Sequence, residues 1–375
     1  MRDRSLYIHI PFCRRKCPYC SFYSISYDEG LARAYVDVLL GKIEDIEGSV
    51  STIYIGGGTP TVLHEGLLGK LLSGLKKFTG DNIEFTIEAN PESLDREKLG
   101  LFLDRGVNRL SIGTQSFTDE KLQKLGRSHT AEEAAKAMDI SRKAGFNNIN
   151  IDLIFGVWGE SVAEWKSELK KAVQSGARHI SCYSLTYEEN TALISAKNTG
   201  KILPLDEEVV AQMYGYTLDY LPGQGFGHYE VSNFAKKSHR CRHNLNYWDN
   251  NLYIGLGASA VSYLDGIRKT NVSDIKEYIK KVKAGEDPAA SSEKLSDIDR
   301  AKETAAVKIR TKEGIDFRWF SEKTGFDFCG LEKDVLPVLV EKGLIEYKKE
   351  NKHCPGTQLT KKGFLFSDTV SSELL

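Results

Sequence analysis

The chain has 375 residues, enough for one large domain and one or two small ones. Apolar residues make up 41% and no segment approaches a membrane span, while 51 basic against 52 acidic residues remove the electrostatic case for a nucleic-acid partner. Seven cysteines, an odd number with three in one run, indicate reduced thiols in a cytoplasmic protein and exclude a disulfide framework.

The first element is the apolar run 6–12, Leu6-Tyr7-Ile8-His9-Ile10-Pro11-Phe12, which reads as a buried strand. His9, Pro11 and the cysteines that follow make it a poor signal peptide. It leads into Cys13-Arg-Arg-Lys-Cys17-Pro-Tyr-Cys20, a C-x3-C-x2-C spacing. Three thiolates can hold three irons of a four-iron cluster and leave the fourth open to a small molecule, whereas electron-transfer clusters fill all four corners. A zinc knuckle is the alternative, but no second Cys or His pair follows at a usual spacing, and His9 lies inside the strand.

Further strands are predicted over 52–56, 83–88, 109–115, 148–155 and 179–185, separated by amphipathic helices such as 31–46, 131–144 and 163–174. Gly145 and Gly176 follow the last turns of two of them as capping glycines. Six strand–helix units with right-handed crossovers predict an α/β fold, a partial and open (β/α)6 parallel barrel, short of the eight units of a closed one. Ligands sit at the C-terminal rim of such sheets. There the chain places the cysteine loop, Gly56-Gly57-Gly58-Thr59-Pro60, Glu88, Gln115 and Asp152. The triple glycine lacks the Gly-Lys-Ser/Thr of a phosphate loop and instead suits close approach of backbone to a ligand. Each side chain alone also has a structural explanation: Glu88 could open a turn, Asp152 satisfy backbone donors, and Gln115 be an interior amide.

These residues resemble the radical S-adenosylmethionine superfamily. The Cys-x3-Cys-x-Tyr-Cys form and the Gly-Gly-Gly-Thr-Pro-Thr run narrow the likeness to its oxygen-independent coproporphyrinogen oxidase-like branch. The resemblance implies a radical S-adenosylmethionine core with a [4Fe-4S] cluster on Cys13, Cys17 and Cys20 and S-adenosylmethionine on the open iron. A reduced cluster of that kind can release a 5′-deoxyadenosyl radical. It further implies that Gly57, Gly58 and Thr59 contact the methionine part and that Glu88 accepts from the ribose hydroxyls. Gln115, Arg127 and Asp152 would complete the pocket, with Tyr7 as a further contact. An electron donor for the cluster is implied as well. The coproporphyrinogen enzyme carries another cysteine where this chain has Phe22, and a long segment before its cluster motif where this chain has twelve residues. Coproporphyrinogen dehydrogenase activity is therefore not expected, and no residue is assigned as catalytic.

A second signature, Tyr229-Glu-Val-Ser-Asn-Phe-Ala235 followed by Cys241-Arg-His243-Asn244-Leu-Asn-Tyr247-Trp248, resembles the HemW-type heme chaperones. The run Tyr253-Ile-Gly-Leu-Gly-Ala-Ser-Ala260 belongs to the same pattern. The likeness implies heme as a ligand, His243 as its candidate contact, and a heme-acceptor protein, a respiratory hemoprotein, as partner. His228, His239 and Cys241 are nearby alternatives for the axial position, and a structural His–Asn pair with two core aromatics is the other reading. A radical enzyme acting on a porphyrinogen is the alternative function, and a nucleic-acid-modifying enzyme the third.

After Gly285 the composition turns to Glu-Asp-Pro-Ala-Ala-Ser-Ser-Glu, a linker. Helices and a hairpin from 343–350 and 358–360 then suggest a winged-helix-like domain. The expected organisation is a core over 1–220, a segment with the heme motif over 221–285 and a C-terminal domain over 296–375. Cys329 and Cys354 read as isolated thiols.

Overall fold

The computed structural model describes residues 4–80, 82–348 and 355–375, so Cys354 lies outside the described residues, as does the end of the first predicted hairpin strand. The chain forms two compact units that interleave in sequence. One comprises residues 1–213 and 252–292, the other 214–251 and 293–375.

In the first unit six strands run parallel and pair in chain order. They are β1 (Ser5–Ile10), β2 (Thr52–Gly57), β3 (Glu84–Ala89), β4 (Arg109–Gln115), β5 (Asn148–Phe155) and β6 (His179–Ser184). This is the partial (β/α)6 barrel, with strand bounds within one or two residues of those read from periodicity. The crossover helices have local reasons to start where they do. Thr130 with Glu133, and Ser161 with Glu164, form capping boxes that open Ala131–Ala144 and Val162–Gln174. A further strand, β7 (Tyr253–Leu256), pairs in parallel with the free side of β1 and continues as an antiparallel hairpin, β8 (Val261–Leu264) and β9 (Ile267–Asn271).

Alternation along the strands sorts the residues onto two faces. Leu6, Ile8, Ile10, Ile53, Ile55, Phe85, Ile87, Leu110, Ile112, Ile149, Ile151 and Ile180 form the buried apolar face that the crossover helices cover. The opposite face is polar and also largely buried. Register aligns Tyr7, Tyr54, Thr86, Arg109 and Asn148 across five strands. One step toward the C-terminal ends, it aligns His9 with Gly56, and Glu88 with Ser111, Asn150 and His179. A barrel filled for stability would carry branched apolar side chains in these layers.

In the second unit, Gly227–Glu230 and Asn233–Ala235 form an antiparallel hairpin, and Arg242–Trp248 is a two-turn helix. Ile345–Tyr347 pairs with Gly356–Leu359 as the expected hairpin, and Ile315–Asp316 adds a third antiparallel strand. Helices Asp297–Lys308, Phe317–Thr324, Val335–Glu341 and Ser367–Glu373 accompany this small sheet. Among the described residues, no helix is long and apolar enough to cross a membrane.

Candidate functional site

The cysteine loop leaves β1 through a short strand, Phe12–Cys13, that pairs in parallel with Ile25–Ser26. Tyr27 N–H donates to the Cys13 carbonyl at 3.1 Å, and Cys20 N–H to the Cys17 carbonyl at 3.1 Å. The loop is thus pinned at its base and turned back on itself, with Cys13, Cys17 and Cys20 half-buried free thiols. Burial pushes the Cys13 and Cys20 thiols above their ordinary value, so loading a metal there must displace protons. Among the described residues, no three His, Cys, Asp or Glu side chains converge on one metal-ion position. Ligands to three different irons need not converge on one point, and three thiols on one short loop are a donor set that a cluster can take. The donor set fits as well: Arg127 Nη1 stands 3.5 Å from Cys17 Sγ, where it would compensate thiolate charge.

Arg127 ties the loop to the barrel rim. Its Nη2 donates to Asn90 Oδ1 at 2.6 Å and to the Gly113 carbonyl at 3.1 Å. Asn90 Nδ2 donates to Thr59 Oγ1 at 3.2 Å, and Thr59 Oγ1 lies 3.7 Å from Cys13 Sγ. A pocket lined by Arg14, Cys17, Thr59, Asn90, Glu92 and Arg127 opens beside the thiols.

The triple glycine proves to be a packing feature of the protein itself. A Cβ on Gly56 would lie 2.8 Å from the Glu88 carboxylate, and one on Gly58 would lie 2.7 Å from the Phe12 carbonyl oxygen. At Gly57 it would lie 2.4 Å from the His9 ring, and φ is +110°. The glycines therefore let Glu88, His9 and the cysteine loop close in on one strand end. The approach of backbone to ligand predicted from sequence gains an internal counterpart.

Glu88 Oε1 accepts from the Tyr54 hydroxyl at 2.8 Å and Oε2 from Gly57 N–H at 3.1 Å. Burial raises its pKa to about 7, with the Asp152 charge pushing the same way against these bonds. Asp152 is likewise raised by burial, although it accepts from Asn150 Nδ2 at 2.9 Å and from Ser111 Oγ at 3.3 Å. Arg109, fully buried on the same face, favours the charged form of both carboxylates. Asn150 continues the network to His179 Nδ1 at 2.6 Å. At β1, His9 Nε2 donates to the Tyr23 carbonyl at 3.0 Å, which leaves Nδ1 to accept from the Tyr7 hydroxyl at 3.0 Å. Gln115 ends β4 at φ +61°, just after a register shift in the pairing with β5. A left-handed non-glycine residue beside a bulge is costly, so its surroundings must hold it there.

The structure thus gathers Tyr7, Gly57, Gly58, Thr59, Glu88, Gln115, Arg127 and Asp152 at the rim of the first unit, along with the three cysteines. Asn90, Arg109, Tyr54, Asn150, His179, Glu92 and His129 belong to the same rim or interior and were not singled out from the sequence. His243 lies in the second unit. It is buried, with Nε2 3.2 Å from the Tyr247 hydroxyl and its ring set edge-on to Tyr247. Asn244 Oδ1 accepts from Cys241 Sγ at 3.4 Å, so the described contacts pair His243 with Tyr247 and Asn244 with Cys241.

Residues 7–172 match the Radical SAM superfamily. The chain is 34% identical to the heme chaperone HemW of Bacillus subtilis, over 99% of this chain and 99% of that protein. It is 34% identical to heme chaperone HemW of Lactococcus lactis, over 100% and 98%. To heme chaperone HemW of Escherichia coli it is 37% identical, over 70% and 71%. Coproporphyrinogen III oxidase (HemN) from Escherichia coli, a radical SAM enzyme, shares the fold with a TM-score of 0.84 at 22% identity, over 100% of this chain and 90% of that one. At that identity the likeness speaks for the fold alone.

Proposed function

Because the chain belongs to the HemW family of heme chaperones, within the radical S-adenosylmethionine superfamily, we propose that it binds heme and passes it to an acceptor protein. The observation that carries this reading is the end-to-end likeness to the Bacillus subtilis chaperone, which covers 99% of this chain and so spans both units. On the proposed reading, Cys13, Cys17 and Cys20 hold a [4Fe-4S] cluster and the rim pocket holds S-adenosylmethionine. Held by those thiolates and reduced by an external one-electron donor, the cluster would supply the electron needed to cleave the sulfonium of bound S-adenosylmethionine.

The residues have distinct tasks in holding that cofactor. Arg127 would meet its carboxylate, since a guanidinium already bonded to Asn90 and Gly113 keeps its position without reorganising. Gly57, Gly58 and Thr59 would border the methionine part. Glu88 would accept from the ribose hydroxyls, taking the place of its internal donors with ligand donors. Tyr7, whose proton is committed to His9, would offer acceptor lone pairs to the cofactor. Gln115 and Asp152 would close the far side. His243 would contact heme in the second unit once Tyr247 yields its hydrogen bond. A respiratory hemoprotein as acceptor and a one-electron donor to the cluster complete the scheme.

Porphyrinogen oxidation has no comparable support, because Phe22, at the place of the enzyme's further cysteine, brings no thiol and is 66% exposed. The test is anaerobic reconstitution followed by heme titration and an assay for 5′-deoxyadenosine in one sample, with coproporphyrinogen III as a second substrate arm. Stoichiometric heme binding without coproporphyrinogen turnover is expected. Turnover of coproporphyrinogen with no heme binding would overturn the proposal.

A further inference from the structure

The rim of the first unit contains a further set of contacts around Arg127 that joins the turn after β3 to the end of β4. After β3 the chain makes a turn, Pro91–Ser93, that carries Glu92. Within the last residues of β4 the strand pairing slips, between Ile112 and Gln115, and Gly113 and Thr114 fall outside the regular register. Segment 127–129 takes up both. Arg127 Nη2 donates to the Gly113 carbonyl at 3.1 Å, and His129 Nε2 donates to the Thr114 carbonyl at 3.0 Å.

The same segment also grips the turn after β3 twice. Arg127 Nη2 donates to Asn90 Oδ1 at 2.6 Å, and His129 Nδ1 stands 3.4 Å from Glu92 Oε2. Ser128 Oγ adds a bond to Glu92 Oε1 at 2.7 Å. His129 is 0% exposed and Glu92 17%, so this contact is shielded from water. Burial alone would raise the Glu92 carboxyl, yet the neighbouring His129 ring and the Ser128 hydrogen bond bring it down to about 2, so it is a carboxylate at neutral pH. Residues 127 and 129 thus each join the bulge to the turn, one step apart.

We propose that Glu92 and His129 are positioning residues, a buried clasp that fixes the 113–115 bulge and segment 127–129 so that Gln115 and Arg127 hold the geometry needed for S-adenosylmethionine. The inference rests on the proposed cofactor pocket. It adds that the pocket's shape depends on His129, which does not line it, and on Glu92, which lines it beside Arg127. Gln115 sits at φ +61° inside a tight turn closed by Ser116 N–H donating to the Thr114 carbonyl at 2.7 Å, and His129 adds a second, tertiary donor to that same carbonyl.

The test uses the reconstituted full chain, with S-adenosylmethionine as probe and Kd as readout. Glu92→Gln and His129→Gln should each weaken binding about tenfold, the usual effect of losing an outer partner. Iron and sulfide content should stay at the parent level. Placed in an Arg127→Ala background, the same substitutions should cause little further loss, because the clasp acts through Arg127 and the bulge. Hydrogen exchange of the ligand-free protein should speed up at 113–116 and 127–129 and nowhere else in the first unit. Parent affinity in both single variants, with Arg127→Ala weakened, would overturn the clasp and leave the pocket reading intact. Parent affinity in Arg127→Ala would count against the pocket itself. If His129→Gln does not fold, the isosteric Glu92→Gln and its exchange pattern decide the question.

Discussion

Replacing Glu88 by Gln should make the protein more stable at alkaline pH while weakening its hold on S-adenosylmethionine. The carboxyl has an ordinary value of 4.5 and is raised to about 7 in the folded chain, chiefly by burial. Between those values the folded state holds more of the proton than the unfolded state does. The stability that this proton retention contributes is complete below pH 4.5 and is lost as pH climbs to about 7. The whole swing is on the order of 3 kcal/mol, and less in practice because the side chain keeps some contact with water. Gln does not titrate, so the swing disappears. Its amide oxygen can replace one acceptor, toward either Tyr54 or Gly57, but its NH2 group must face the other donor unless the Tyr54 hydroxyl turns. That mismatch costs about 1 kcal/mol. The net expectation is a variant about 1–2 kcal/mol more stable than the parent at pH 8 and about 1 kcal/mol less stable at pH 5. Urea unfolding of the ligand-free protein at several pH values measures it, and the parent–variant difference cancels every other titrating group. A difference that does not change sign with pH would refute the assignment of a buried, proton-holding Glu88.

The other expectations are simpler. Changing Cys13, Cys17 and Cys20 together to Ala should abolish iron and sulfide retention after anaerobic reconstitution, and a triple variant that kept its iron would remove these residues as ligands. Gly57→Ala forces a Cβ into the His9 ring at a φ that side chains avoid, so it should cost about 3 kcal/mol in urea unfolding, and a neutral effect would mean that the strand end relaxes freely. His243→Ala should lower heme occupancy in an absorbance titration with the cluster spectrum preserved, whereas an unchanged titration would leave His243 as a packing partner of Tyr247 alone.

The six barrel strands were legible because each buries one face against helices and so keeps a period of two. The intervals 109–115 and 148–155 coincide with β4 and β5 residue for residue. The cysteine loop and the polar residues at strand ends were legible for the same reason, since a strand's end tells where the rim is. Other parts lay beyond local pattern. Arg109, Asn150 and His179 look in sequence like the solvent side of half-buried strands, and only the curling of six strands turns that side inward. β7 reads locally as a strand, but nothing near it names β1 as its parallel partner. Glu92 and His129 sit in two turns far apart in the chain. Their meeting depends on a strand irregularity that no spacing announces.

The polar face of the barrel is itself an argument about function. Burying Arg109, Glu88 and Asp152 together is a poor way to gain stability, because apolar side chains of similar volume would serve as well or better. The chain nevertheless keeps both carboxyls raised and near one another, a state in which the ligand-free pocket resists full ionisation. Such a pocket favours a ligand that brings hydroxyl donors and positive charge, since each relieves the cost of a buried carboxylate. S-adenosylmethionine brings both, as ribose hydroxyls and as a sulfonium with an amino group. A planar macrocycle with two carboxylates brings neither, and would meet like charge there. A pocket of this character suits the small cationic cofactor proposed for it. The proposal gives heme to the second unit, where His243 and Tyr247 occupy a short helix that starts after Cys241.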